Sequence, residues 1–218
     1  MKEFRLAWLL EMGLLSLAVS GCGGGSSSSG GTCTVPTCGG DPTGTWTLTS
    51  SCLDTTALRQ AFLQGSMGKC PQATVGANIT PTGTLALNAD LTYVANFTLG
   101  GNTTINIPTS CLNGATCADL SAALQLDISA DPTIQSASCS GSGTCACTEV
   151  LVPQPVNESG TYTKSGSSLT LTATGGTPAT DSYCVSGMGG GTMLTLGESM
   201  MSTGTMGNFA TTLTGRKQ

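Results

Sequence analysis

Over most of the chain, apolar and hydroxyl side chains alternate. Thr45-Trp46-Thr47-Leu48-Thr49 puts Trp46 and Leu48 on one face and three threonines on the other, the period of a half-buried strand. Threonine is β-branched with a polar end, so it suits the solvent side of a sheet. The same reading predicts strands at Thr84–Leu87 and Leu91–Leu99 around a turn at Asn88-Ala89-Asp90, at Thr103–Ile107 and at Ala146–Val152. Tyr162-Thr163 leads through Ser165-Gly166 to Leu169–Thr172, and Ser182–Val185 leads through a Gly-rich turn, Met188–Thr192, to Met193–Leu196. Phe209–Thr214 closes the series. The two hairpins share Tyr-x-x-Ser-Gly, at Tyr162 and Tyr183, followed by Leu-Thr-Leu, but two copies are too few for a solenoid. Helical spacing interrupts twice. Asp54–Gln64 places Leu58, Ala61 and Phe62 on one face and ends at Gly65 and Gly68. Cys117–Leu126 is preceded by Thr116, which stands at capping-box spacing from Asp119, and aligns Leu120 with Leu124. The pattern predicts an all-β fold, an up-and-down antiparallel barrel or sandwich of roughly 8–10 strands with one or two short helical insertions. Residues 41–218 suit one domain.

The N-terminus reads differently. Lys2 and Arg5 precede an apolar run from Leu6 to Val19, too short to span a bilayer as a helix, which needs about 20 residues. Charge, a short apolar core and then small residues predict a secretory signal peptide over residues 1–21. Glu11 inside the core opposes insertion by ~2–3 kcal/mol, against five surrounding leucines. Val19-Ser20-Gly21-Cys22 resembles the lipobox of bacterial lipoproteins, which implies cleavage before Cys22 and lipidation of its sulfur. Gly23–Gly31 is a Gly/Ser run with the composition of a flexible tether, and the tether is read as residues 22–40. At ~0.8 kcal/mol per buried CH₂, two or three acyl chains would anchor the chain almost permanently. Gly23 stands where many inner-membrane lipoproteins carry Asp, so the expected location is the cell envelope, at the outer membrane of a Gram-negative bacterium.

Composition narrows the chemistry. A net charge of −5 offers nothing to a phosphate backbone, so no nucleic-acid partner is expected. Only 9% of residues are charged, so Thr, Ser, Gly and Asn must form the polar surface. Beside Cys22 there are ten cysteines, Cys33, Cys38, Cys52, Cys70, Cys111, Cys117, Cys139, Cys145, Cys147 and Cys184, and an even number in an exported chain predicts up to five disulfides. Proximity suggests Cys33–Cys38, Cys111–Cys117 and a local pair within Cys139, Cys145 and Cys147, although sequence does not set connectivity. The chain has no His and no paired CxxC of zinc-ribbon spacing, which argues against a structural zinc site.

Candidate catalytic patterns have simpler explanations. Without His there is no Ser-His-Asp or Cys-His site. Ser66-Met67-Gly68-Lys69 matches Ser-x-x-Lys but lacks its companion elements. Asp127 and Asp131 flank a loop without the calcium-loop pattern. Met188, Met193, Met200, Met201 and Met206 form no tight thioether ladder for copper. The sequons at Asn78, Asn96, Asn102 and Asn157 reflect composition, and Cys145-Ala146-Cys147 reads as two bridged cysteines rather than a redox pair. No cofactor, metal or enzymatic step is expected.

Gly44-Thr45-Trp46 at the start of the first strand resembles the lipocalin-like (calycin) barrels. The resemblance implies that Trp46 closes the barrel floor and that Arg216, after the last strand, packs on it by a cation–π contact. Gly160-Thr161-Tyr162 and Ser165-Gly166 with Leu169-Thr170-Leu171 look like the closing hairpins of bacterial lipocalin-like lipoproteins, so the likeness spans about Asp41 to Arg216. The expected role is that of a membrane-anchored envelope lipoprotein, structural or protein-binding, with a filled barrel. The alternative is carriage of a small apolar ligand. Expected partners are the membrane, through lipid on Cys22, and either another envelope protein or that ligand. An aromatic content of 4% weighs against a ligand pocket. Leu85, Leu87, Phe97, Leu169 and Leu171 discriminate: a cavity against them favours carriage, tight packing the structural role.

Overall fold

The structure, a computed structural model, describes residues 33–56, 59, 70–128, 132–188, 191–198 and 211–218. The expected signal peptide and Cys22 lipobox, the Gly/Ser run, Ser66–Lys69, Asp131, the last three methionines and Phe209 lie outside the described residues. So does most of the first expected helix.

The described strands are β1 (Gly44–Leu53), β2 (Thr74–Leu87), β3 (Thr92–Pro108), β4 (Ile134–Ser140), β5 (Thr144–Ser165), β6 (Ser168–Ala173), β7 (Pro178–Met188), β8 (Gly191–Glu198) and β9 (Thr211–Lys217). A 3₁₀ turn, Thr109–Cys111, and a helix α1, Cys117–Ile128, lie between β3 and β4. The sheet order is β3-β2-β1-β9-β8-β7-β6-β5-β4, and pairing of β3 with β5 closes eight of these strands into a barrel. All registers between neighbours from β4 to β9, and those of β1 with β2 and β9, are antiparallel. The all-β barrel with a short helical insertion is the fold that the alternation predicts.

Several boundaries differ from expectation. Thr103–Ile107 is no separate strand but the end of the 17-residue β3. Ala146–Val152 and Thr161–Thr163 are both parts of the 22-residue β5. Pro153 and Pro155 remove two donors without ending it, because proline's φ is compatible with extended chain. β5 pairs β4 over Ala146–Leu151 and β6 over Gly160–Ser165. β4 itself, Ile134-Gln135-Ser136-Ala137-Ser138-Cys139-Ser140, carries too little hydrophobic contrast to have been read as a strand. Residues 33–40, read as tether, are tied to the barrel: Cys33 and Cys38 are disulfide-bonded, and Gly39 is buried and bridges Cys184 in parallel.

The chain divides into two compact units, one from Thr55–Ala77 and Gly101–Val152, the other from Cys33–Asp54, Asn78–Gly100 and Pro153–Gln218. In the second, alternation sends Trp46, Leu85, Leu87, Tyr93, Tyr162, Leu169, Tyr183, Leu194 and Leu196 into the barrel, each at most 2% exposed. Gly215 makes room for the indole: a Cβ there would stand 3.1 Å from Trp46 Cβ. Gly83, at φ +136°, lets β2 approach β3, since a Cβ would stand 2.6 Å from Phe97 Cα.

The first unit has a smaller core of Cys70, Ala73, Ile107, Leu112, Cys117, Leu124, Ala137, Cys145 and Cys147. Its helix starts as the capping box predicts. Thr116 N–H and Oγ1 donate to Asp119 Oδ2 at 2.9 and 2.7 Å, and Asp119 N–H donates to Thr116 Oγ1 at 3.2 Å. Next, α1 satisfies backbone groups of β4. Cys139 N–H donates to Ser121 Oγ at 3.1 Å, and the Gln125 side-chain amide donates to Ala137 O. Unpaired strand groups invite pairing with another chain, and here side chains occupy them.

Candidate functional site

The polar ends of the buried Trp46, Tyr162 and Tyr183 meet backbone carbonyls at one mouth of the barrel. Gly39–Thr43 crosses that mouth before the chain turns into β1. Trp46 Nε1 donates to Pro42 O at 2.7 Å, and Tyr183 Oη donates to Gly40 O at 2.8 Å. Tyr162 Oη donates to Asn88 O at 2.8 Å and lies 3.5 Å from Thr43 Oγ1. Each buried aromatic thus keeps its polar end satisfied, as burial requires. Backbone bonds seat the segment further: Gly39 N–H to Tyr183 O at 3.1 Å, and Val185 N–H to Gly39 O at 2.8 Å.

Charges rim the plug. Lys164 Nζ donates to Asp41 Oδ1 at 2.9 Å, and Thr43 donates to the same oxygen through Oγ1 at 2.9 Å and N–H at 3.3 Å. The Lys164 and Thr43 hydrogen bonds hold the Asp41 carboxyl down at about 2. Lys217 Nζ sits 5.5 Å from the centre of the Trp46 ring. This corrects the expected partner, Arg216. Register explains the difference: Lys217 is opposite Trp46 and shares its face, whereas Arg216 is opposite Thr47. Deeper in the same unit Tyr93 Oη donates to Glu158 Oε1. Burial first, then that carboxylate, pushes the Tyr93 phenol well above its ordinary value, so it stays a neutral donor.

Before the plug, residues 33–38 form a strap over the outside of the barrel. Cys33 is bonded to Cys52 of β1, and Cys38 to Cys184 of β7. Between them Val35 overlies β8, since a Cβ on Gly197 would meet Val35 Cγ2 at 3.1 Å. Cys52 pairs with Thr212, and Thr212 with Gly197. Thr212 alternates with the inward Leu213 and so faces outward, yet it is only 8% exposed. Four strands, β1, β9, β8 and β7, lie under the strap. Three inter-strand spacings are ~14 Å, within the ~17 Å that five extended residues reach.

All ten expected cysteines are bridged, in five disulfides, but proximity misassigned two pairs. The expected Cys33–Cys38 bond is absent because these residues anchor opposite ends of the strap. Cys111–Cys117 is replaced by Cys70–Cys111 and Cys117–Cys145, which tie the 3₁₀ turn and the start of α1 into the first unit's core. The local pair is Cys139–Cys147, directly opposite on β4 and β5. Among the described residues no group of three or more His, Cys, Asp or Glu could hold a metal ion, and no helix is long and apolar enough to cross a membrane.

Sequence reasoning placed Trp46 but missed the plug, Lys217 and the two tyrosines. A signal for the tyrosines was present: Tyr162 and Tyr183 are the leading residues of the repeated Tyr-x-x-Ser-Gly, and both end on a backbone carbonyl. The chain matches no protein-family model, and no curated protein or solved structure is significantly similar to it.

Proposed function

We propose that this chain is a cell-envelope lipoprotein, cut before Cys22 and lipid-anchored there, whose disulfide-braced barrel serves a structural or protein-binding role without catalysis. The observation that carries the reading is the burial of the inward-facing strand side chains. Leu85, Leu87, Phe97, Leu169 and Leu171 are at most 4% exposed. Leu87 and Leu169 retain no accessible surface and the other three retain only 2–4%, which supports close packing of these side chains over a ligand-sized cavity. Five disulfides fit an oxidising compartment, as the export reading requires. A lipocalin-like kinship is part of the proposal. Its support is Trp46, buried near the barrel mouth under a cation from the last strand.

Expression of the full chain with Cys22→Ala in a Gram-negative host tests the anchor. Wild type should sediment with membranes and yield an N-terminal peptide carrying diacylglyceryl mass, while the variant should be soluble. Membrane association without lipid mass on that peptide would overturn the reading.

A further inference from the structure

The geometry points to a mechanical clasp: Cys33–Cys52 makes tension on the N-terminal tether enter the barrel at the far end of β1, so that the seam between the first and last strands is loaded in shear instead of being unzipped. The biological use of this clasp rests on the anchor reading above; the mechanical property does not.

The first and last described strands, β1 and β9, lie side by side in the sheet, joined through seven register pairs from Trp46↔Lys217 to Leu53↔Thr211. β1 begins at Gly44 beside the end of β9. Without cross-links, a pull on the N-terminus would therefore reach β1 at Gly44, at the same end of the seam as Lys217. Against a grip at the C-terminus, that pull would part the pairs one at a time. The Cys33–Cys52 bond changes the entry point. Force arriving at Cys33 passes through sulfur into Cys52, opposite Thr212 at the other end of the seam. Tether and C-terminus then pull along the strands in opposite directions, and all the pairs bear load together. Residues 34–51, which include the plug that Trp46 and Tyr183 hold, lie between the bridged cysteines and are bypassed.

Cys38–Cys184 is a second catch. If the first bond is lost, peeling from Cys33 stops at Cys38 and the load passes to β7. The strap between these two anchors crosses β9 and β8, so the C-terminal hairpin, otherwise the natural place to fray, is held under it.

Optical-tweezers pulling of oxidised Gly31–Gln218 tests the clasp without any lipid. Handles go on residue 31 and on the C-terminus. We expect one high-force rupture. With Cys33→Ser, Cys52→Ser, Cys38→Ser and Cys184→Ala combined, rupture should fall several-fold in force, beginning with low-force peeling. Because that variant has lost two cross-links and its fold is at risk, a second geometry keeps all five disulfides and moves the N-terminal handle to an azide-bearing residue at Thr45. Rupture there should also occur at low force. Equal rupture forces from residue 31 and residue 45 would overturn the clasp and would leave the anchor reading, tested by lipid mass, untouched.

Discussion

Removing the Cys38–Cys184 bridge tests the covalent frame most quantitatively. The bond joins residues 146 apart. In the unfolded chain the other bridges offer shortcuts, through Cys33–Cys52, Cys70–Cys111 and Cys117–Cys145, so the ring that it closes is about 70 residues. Loop-closure entropy for such a ring is worth about 4 kcal/mol at 25 °C. Cys38→Ser with Cys184→Ala should therefore cost about 4 kcal/mol, and lower the midpoint of thermal unfolding by roughly 8–16 °C. The serine replaces an exposed atom and the alanine a buried one, so little new polar burial is added. Urea titration followed by far-UV circular dichroism measures both stability and its slope. The slope should rise, because a less constrained unfolded chain exposes more surface. A loss below about 1 kcal/mol with an unchanged slope would refute the reasoning.

Other perturbations separate packing, charge and edge protection. Trp46→Ala empties the most buried large side chain and should cost about 3–5 kcal/mol in urea unfolding, whereas Lys217→Met, which removes only a surface cation–π contact, should cost at most ~1 kcal/mol. Asp41 has a folded value depressed to about 2, so its contribution is full above the unfolded value of about 3.9 and is lost as pH falls toward 2. Because Asp41 and Lys164 are 69% and 42% exposed, the loss should not exceed ~1 kcal/mol. Asp41→Asn should abolish that part of the acid-stability profile. Ser121→Ala leaves Cys139 N–H without its acceptor and should cost about 1–3 kcal/mol, with faster hydrogen exchange at that amide; unchanged exchange would count against the capping of β4 by α1.

What was legible in the sequence was local. Thr45–Thr49 reads as a strand because its alternation is complete within five residues, and Thr116 with Asp119 reads as a helix start because the box closes over one turn. The two Tyr-x-x-Ser-Gly hairpins were legible for the same reason. Distance hid the rest. β4 is mostly Ser, Ala and Cys after Ile134-Gln135, and is a strand because β5 and α1 flank it. Cys38 finds Cys184 rather than its neighbour Cys33 because the segment between them is stretched over four strands. Lys217 replaces Arg216 over Trp46 through a register that only the folded β1–β9 pair defines. The plug was illegible because Gly-Gly-Asp-Pro-Thr has no period. Its role comes from carbonyls that Tyr183 and Trp46 reach.

The central claim is a barrel filled by its own side chains. Native mass spectrometry of Gly31–Gln218, secreted into an oxidising periplasm and weighed before and after denaturation, tests it most directly. A filled barrel gives the bare polypeptide mass in both states, lighter by ten hydrogens for the five disulfides. Extra mass that leaves on denaturation would contradict it and make the barrel a carrier of a small apolar molecule.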